Sequence, residues 1–278
     1  MQLIAMLTML VDHAGIVLFP DNPYFRWVGR LAMPLYAYAL VLGYGRTRDF
    51  RRYALRLAAI AAVSQWPYQY ALPEPDEPFE LNVVFTLLVS LVVLRLIDAV
   101  LPSAGRPLEA AREAAAAAPS PADRRRGAAL APFRAGDPPN PAAPPSAVHP
   151  RGGAVPPSVA TGEDAVRRRM AALGIAAVGC LLLELVPCDY GSHLLLLVLI
   201  YRFAAGQVAL ALHFILNLAG MAQGIPPYQM FSLLSTALVR CAPGLLNAMN
   251  RRLRVPRLLW RSFYPAHLAA LAAVRFFA

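Results

Sequence analysis

Long blocks of mostly apolar residues, separated by short polar connections, constrain this chain before any other feature does. A helix rises about 1.5 Å per residue, so about twenty residues cross a hydrocarbon core of about 30 Å. Such runs fall near residues 2–20, 27–45, 54–72, 81–101, 170–187, 193–204, 206–223, 228–248 and 262–277. They predict an all-α, polytopic integral membrane bundle of about nine transmembrane helices. Composition agrees: 58% of the 278 residues are hydrophobic and 15% charged, with a mean hydropathy of +0.48, against roughly 45–50% and 25% in a soluble domain. A soluble enzyme is excluded. Residues 1–20 lack a basic n-region and an A-x-A cleavage signal and carry Asp12 and His13, so the first run is expected to stay as a helix.

The formal charge is +10, and all 26 basic residues are arginine. They lie between the apolar blocks, where the positive-inside rule accounts for them, so nucleic acid is not an expected partner. Their alternation fixes a topology. Arg46, Arg48, Arg51, Arg52 and Arg56 follow the second run, whereas Glu74, Asp76, Glu77 and Glu80 follow the third. Arg251, Arg252, Arg254, Arg257 and Arg261 precede the last run, and the 102–169 connection holds ten arginines. Together these predict a cytoplasmic N-terminus and an external C-terminus.

Residues 102–169 also hold thirteen of the 26 prolines. That composition buries too little apolar surface to offset ordering entropy and predicts a disordered cytoplasmic linker. One short helix around 107–118 and a solvated His149 are expected within it. The linker divides a first membrane half, 1–101, from a second, 170–278, and no internal repeat relates them. Cys180, Cys188 and Cys241 have neither CxxC spacing nor neighbouring histidines at ligand intervals, so they read as packing residues and no metal site is predicted.

Ionisable groups in hydrocarbon are costly and face a cavity or one another. In the predicted topology Asp12, His13, Arg30, Gln65, Asn82, Glu184 and Asp189 converge on the outer leaflet. His13 is the candidate general base, since an imidazole titrates near neutrality. Asp12 cannot orient it, because consecutive helical residues point about 100° apart, so a partner is expected from another helix, Asp189 or Glu184. Arg30 reads either as an interfacial arginine or as a clamp for a carbonyl or oxyanion. His193 and His213, the latter one turn before Asn217, suit interhelical packing. His267 is expected near the cytoplasmic end of the last helix, away from the outer cluster. Arg95 and Asp98 are expected to pair locally at i, i+3.

Several runs carry a family resemblance. Met9-Leu10-Val11-Asp12-His13-Ala14-Gly15, Val28-Gly29-Arg30-Leu31-Ala32-Met33-Pro34-Leu35, Gly43-Tyr44-Gly45-Arg46, Ser64-Gln65-Trp66-Pro67-Tyr68, Leu81-Asn82-Val83-Val84-Phe85-Thr86, Asp189-Tyr190-Gly191 and Phe263-Tyr264-Pro265-Ala266-His267 resemble, in order, the blocks of the TraX family. The resemblance implies a bacterial inner-membrane, multi-pass acyltransferase. It implies acetyl-CoA as the cytoplasmic donor, and as acceptor an exported protein or glycan, in the family's name-giving member the N-terminus of a conjugative pilin. In the related membrane acyltransferases a basic residue, ten intervening positions and a first-helix histidine accompany an R-x-x-R motif. His13 matches the histidine and Arg48-Asp49-Phe50-Arg51 resembles R-x-x-R, while Gln2 stands at the basic position and Leu194 where the family carries a second glycine after Asp-Tyr-Gly. The implied roles are catalytic for His13, Asp12 and Arg30, and CoA phosphate binding for Arg48 and Arg51. Gln65, Asn82, Glu184 and Asp189 are expected on the acceptor side. Two rival readings follow from the residues alone: a proton-coupled transporter using the buried ionisable groups as a relay, and a structural component of an export or conjugation apparatus.

Overall fold

The computed structural model describes residues 1–72, 79–101, 162–242, 244 and 256–277. The expected acidic connection over 73–78, the linker to residue 161 with its short helix and His149, and Arg251, Arg252 and Arg254 lie outside the described residues. Each expected apolar run contains a helix where it is described. The elements are α1 (Gln2–Leu18), α2 (Tyr24–Gly29), α3 (Ala32–Arg46), α4 (Phe50–Ala71), α5 (Val83–Val100), α6 (Gly162–Leu185), α7 (Gly191–Phe203), α8 (Gly206–Ala222), a 3-10 turn (Pro227–Phe231), α9 (Ser232–Cys241) and α10 (Arg257–Phe277). Among the described residues there is no β-strand, only an isolated parallel bridge between Leu81 and Cys188.

Boundaries move where local chemistry overrides hydropathy. The run expected over 27–45 is broken after Gly29. There the Leu31 carbonyl takes a hydrogen bond from Ser235 Oγ at 2.8 Å, and Pro34 sits in the first turn of α3, where a missing N–H costs nothing. Residues 162–169, assigned to the linker from sequence, form the start of α6. Glu163 and Asp164 in its first turn complement the positive end of the helix dipole, so the helix begins well before the apolar stretch. The last helix likewise starts at Arg257, directly after Pro256, rather than at 262. The run expected over 228–248 contributes only the 3-10 turn and the ten-residue α9 before the described part ends. By length and composition, one helix among the described residues, Val83–Val100, is long and apolar enough to cross a membrane; Gln2–Leu18, Gly191–Phe203 and Gly206–Ala222 are shorter apolar helices.

The main core lies where α10 packs along α4, α1 along α2, α3 and α10, and α7 along α3 and α5. Leu35, Val41, Leu91, Leu94, Leu194 and Leu268 fill it. A smaller cluster of Val93, Ile97, Ala172, Leu183 and Leu195 joins α5, α6 and α7. Gly179 makes that contact close: a Cβ there would stand 2.7 Å from Val93 and 3.0 Å from Leu195. The outer faces remain apolar, with Leu55, Val63, Met170, Leu181, Val208 and Ile215 exposed.

Candidate functional site

The site grows from two neighbouring residues of α1 that point in different directions. Asp12 and His13 are both buried, at 6% and 7% exposure. Asp12 faces α2, where Arg26 Nη1 donates to its Oδ1 at 3.2 Å. A side chain at Gly29 would collide with that carboxylate, so the glycine is what lets α2 close over Asp12. His13 faces α10, where its Nδ1 lies 2.9 Å from Nε2 of His267 with the rings stacked at 5.1 Å and 14°.

His267 corrects the expectation that Asp189 or Glu184 partners His13. It is not at the end of its helix, because α10 begins at Arg257. His13 lies eleven residues into α1 and His267 ten residues into α10, an axial distance of about 15–17 Å in each. Pro256 immediately ahead of a basic, then apolar, stretch was the available signal for this earlier start.

Arg30 follows Gly29 at the break between α2 and α3 and is buried. Its Nη1 donates to the Tyr190 hydroxyl at 3.2 Å and to Gln229 Oε1 at 3.4 Å. Its guanidinium lies over the rings of Tyr190 and Tyr228, at 5.6 and 5.2 Å, so it is an interior cation held by aromatic faces rather than a snorkelling one.

The Asp189-Tyr190-Gly191 turn supplies the facing wall. Asp189 N–H donates to the Leu81 carbonyl at 2.9 Å, Leu81 N–H to the Pro187 carbonyl at 2.8 Å, and Thr86 Oγ1 to the Asp189 carbonyl at 2.8 Å. Tyr190 and Gly191 both take left-handed backbone, with φ of 64° and 42°. Only glycine adopts that conformation freely, and a tyrosine there stores strain of the kind that clusters at functional sites. Burial pushes the Asp189 carboxyl up to about 7; Glu80 adds to the shift, while Arg30 and Arg26 oppose it. Burial likewise pushes the Tyr190 hydroxyl up to about 12.

These groups enclose a cavity of about 470 Å³, within the roughly 300–1,000 Å³ of small-molecule sites. Asp12, His13, Arg26, Arg30, Glu80 and Asp189 contribute its charged and basic groups. Tyr68 and Tyr264 border it, and Leu57, Ile60, Trp260 and Arg261 extend it along α4 and α10. Three buried polar atoms here have no hydrogen-bond partner among the described residues: Arg30 Nε and the Tyr264 hydroxyl on cavity-lining residues, and Gln229 Nε2 on the residue behind Arg30. Orphaned buried donors are costly, and two of these three belong to residues that line the cavity.

Of the residues singled out from sequence, His13, Asp12, Arg30 and Asp189 meet at this cavity, and the others do not. Gln65 and Asn82 tie α4 to the start of α5. Asn82 Nδ2 donates to Gln65 Oε1 at 2.8 Å and to the Ala61 carbonyl at 2.9 Å, and its Oδ1 caps α5 by accepting from Val84 N–H. Glu184 is exposed and accepts from Ser192 N–H at 3.3 Å. Arg48 and Arg51 are exposed around the N-terminus of α4, outside the cavity wall. Asp98 pairs not with Arg95 but across to α7, with Arg202 Nη2 at 2.8 Å, because a guanidinium on the packed neighbouring helix meets it where solvent does not. Sequence reasoning missed Arg26, Tyr190, Gln229, Tyr264 and the placement of His267; each is brought in by a tertiary approach with no local spacing. Among the described residues no three His, Cys, Asp or Glu side chains are grouped to hold a metal ion.

The family model of the TraX protein matches residues 1–103. A probable fimbrial assembly protein, FimC of serogroup H1 from Dichelobacter nodosus, is 30% identical over 106 residues, which is 34% of this chain and 43% of that protein. The chain thus spans less than half the length of the curated relative it matches. No solved structure matches the chain. Asp12, His13, Arg26 and Arg30 lie inside the matched segment, whereas Asp189, Tyr190 and Tyr264 close the cavity from outside it, and His267 contacts His13 from outside it. Over residues 1–103 this chain is similar to the TraX family.

Proposed function

We propose that this chain is a multi-pass inner-membrane acyltransferase, moving an acetyl group from cytoplasmic acetyl-CoA to an amine or hydroxyl on an exported acceptor. The observation that carries the reading is the cavity in which a histidine ring, a buried arginine and unpartnered polar atoms face one another. The donor supplies a thioester carbonyl. The chain supplies a base, His13, for the proton of the attacking amine or hydroxyl, and a cation, Arg30, for the charge that develops on the carbonyl oxygen. As the tetrahedral centre collapses, the carbon–sulfur bond breaks and the thiolate takes up the proton from His13. Asp12 fixes Arg26 and the α1–α2 contact beside these groups.

Membrane embedding is supported by the apolar helix Val83–Val100, by the exposed leucines and valines of the outer faces and by the arginine alternation, which favours a cytoplasmic N-terminus. In that orientation the exposed Arg48 and Arg51 are cytoplasmic. They fit the CoA phosphates as bidentate cations, with Arg261 and Trp260 at the lower reach of the cavity. A fimbrial or pilus subunit is the proposed acceptor class, on the strength of the TraX match and the fimbrial assembly relative.

The test is release of CoA from labelled acetyl-CoA by the full chain in micelles, with and without His13→Ala, each checked for folding. Release or acetyl capture lost in the variant supports the reading. No donor binding and no capture by a folded wild-type protein overturns it and turns attention to proton-coupled uptake in proteoliposomes.

A further inference from the structure

We infer that His267 is the positioning residue for His13: it holds the imidazole in one tautomer and turns Nε2 into the cavity. The use of that nitrogen as a base rests on the acyltransferase reading, whereas the tautomer itself does not. The argument begins at a backbone carbonyl. His267 Nδ1 lies 2.8 Å from the carbonyl oxygen of Phe263, one turn earlier in α10. A carbonyl only accepts, so Nδ1 of His267 carries a proton. In the neutral ring Nε2 is then a bare lone pair and can only accept. Its contact at 2.9 Å is Nδ1 of His13, which must therefore be the donor. Once Nδ1 of His13 holds the proton, its Nε2 is the unprotonated nitrogen of a ring that lines the cavity.

The surroundings hold this geometry. His267 is stacked on Phe263 at 4.6 Å and 13°, set edge-on to Tyr264 at 5.5 Å, and stacked on His13 itself. It is 7% exposed. No carboxylate hydrogen-bonds either imidazole among the described residues, because Asp12 is turned toward Arg26. An imidazole–imidazole pair anchored on a carbonyl thus takes the orienting place that a carboxylate fills in a Ser-His-Asp arrangement.

Two substitutions separate positioning from packing. His267→Phe keeps an aromatic ring for the stacks and removes the acceptor. His267→Gln discards the ring but can present its amide oxygen near the place of Nε2. The expected result is that His267→Phe lowers kcat for acetyl transfer by about 10- to 100-fold, with KM for acetyl-CoA within about twofold, while His267→Gln retains several-fold more activity than the phenylalanine variant. A packing role predicts the reverse order, and that order overturns the inference.

A second readout does not depend on activity. Ring ¹⁵N resonances of the histidine-labelled full chain in nanodiscs should show His13 protonated at Nδ1 and bare at Nε2, and His267→Phe should release it from that single tautomer. Finding His13 protonated at Nε2 in the wild type overturns the inference. Finding the expected tautomer in a protein that transfers no acetyl group leaves the positioning intact and removes the acyltransferase reading.

Discussion

Among the described residues histidines are buried in two places, and they are held differently. Around the cavity, His13 has one ring nitrogen on His267 while its ring borders about 470 Å³ of open space, and Arg30 Nε and the Tyr264 hydroxyl have no partner among the described residues. Among α7, α8 and α9, His193 meets Asn217 Oδ1 at 3.2 Å, and Asn217 donates to Ser232 at 3.0 Å. His213 meets both Ser232, at 3.2 Å, and Thr236, at 2.6 Å, and Tyr201 closes the chain on Thr236 at 2.5 Å. Every member of that second network is hydrogen-bonded and none borders the cavity. Buried polarity alone therefore does not mark a site. The difference lies in spare hydrogen-bonding capacity turned toward a space a ligand can enter, whereas a saturated network specifies helix packing.

The comparison is broken most directly by removing one histidine from each region. His13→Ala is expected to cut acetyl transfer by about 10²- to 10⁴-fold, the usual loss when a general base is removed, far more than the fraction unfolded by losing one buried hydrogen bond to His267 explains. His213→Ala should do the opposite. It leaves the Thr236 and Ser232 hydroxyls short of a buried partner, costing about 1–3 kcal/mol of stability, with transfer per folded molecule unchanged. Thermal unfolding in micelles alongside CoA release checks both. Equal losses of activity in the two variants, after correction for folded protein, would erase the distinction.

A smaller effect sharpens the account of the cavity itself. Gly29→Ala introduces a Cβ against the Asp12 carboxylate and must push α2 from α1. Because α2 carries Arg26 and leads into Arg30, the displacement misplaces two cations, with an expected loss of about tenfold in kcat. Gly45→Ala meets nothing within 4 Å and is the matched control that should be silent.

Much of this arrangement was legible in the sequence, but unevenly. Apolar run length found the helices, since burial along a continuous segment is a local property. The i, i+1 geometry of Asp12 and His13 correctly required a partner for His13 from another helix. What failed was depth: hydropathy placed the last run at 262, whereas Pro256 and the basic turn after it begin α10 at Arg257 and carry His267 inward to the level of His13. The same limit hid Arg202 as the partner of Asp98 and made Gln65 and Asn82 look like site residues rather than a clasp between α4 and α5. Pairings between segments more than 100 residues apart leave no spacing to read, and a cap looks like a ligand until its acceptor is known.

The subtlest contrast between the two regions is electrostatic and lies in the turn before α7. The carboxyl of Asp189, raised to about 7 by burial and by Glu80 against the pull of Arg30 and Arg26, belongs to the cavity wall. In the unfolded chain an aspartate titrates near 3.9. Between the two values the folded state holds a proton that the unfolded state has released, so the contribution to stability is fully present below about pH 4 and is lost as pH rises through about 7. The Asp189 contribution to the melting temperature should thus slope downward from pH 5 to pH 8. Asp189→Asn removes the titration but keeps the backbone bonds to Leu81 and Thr86, which use no side-chain atom of residue 189, so it should flatten that slope without loosening the turn. His213→Ala, in the saturated network, should lower the melting temperature at pH 8, where the imidazole is neutral in folded and unfolded chain alike, through its lost hydrogen bonds to Ser232 and Thr236. An Asp189→Asn protein with the wild-type slope would move the titrating group elsewhere, and Glu80, whose Oε2 accepts from the Tyr68 hydroxyl at 2.7 Å, is the next carboxylate to substitute.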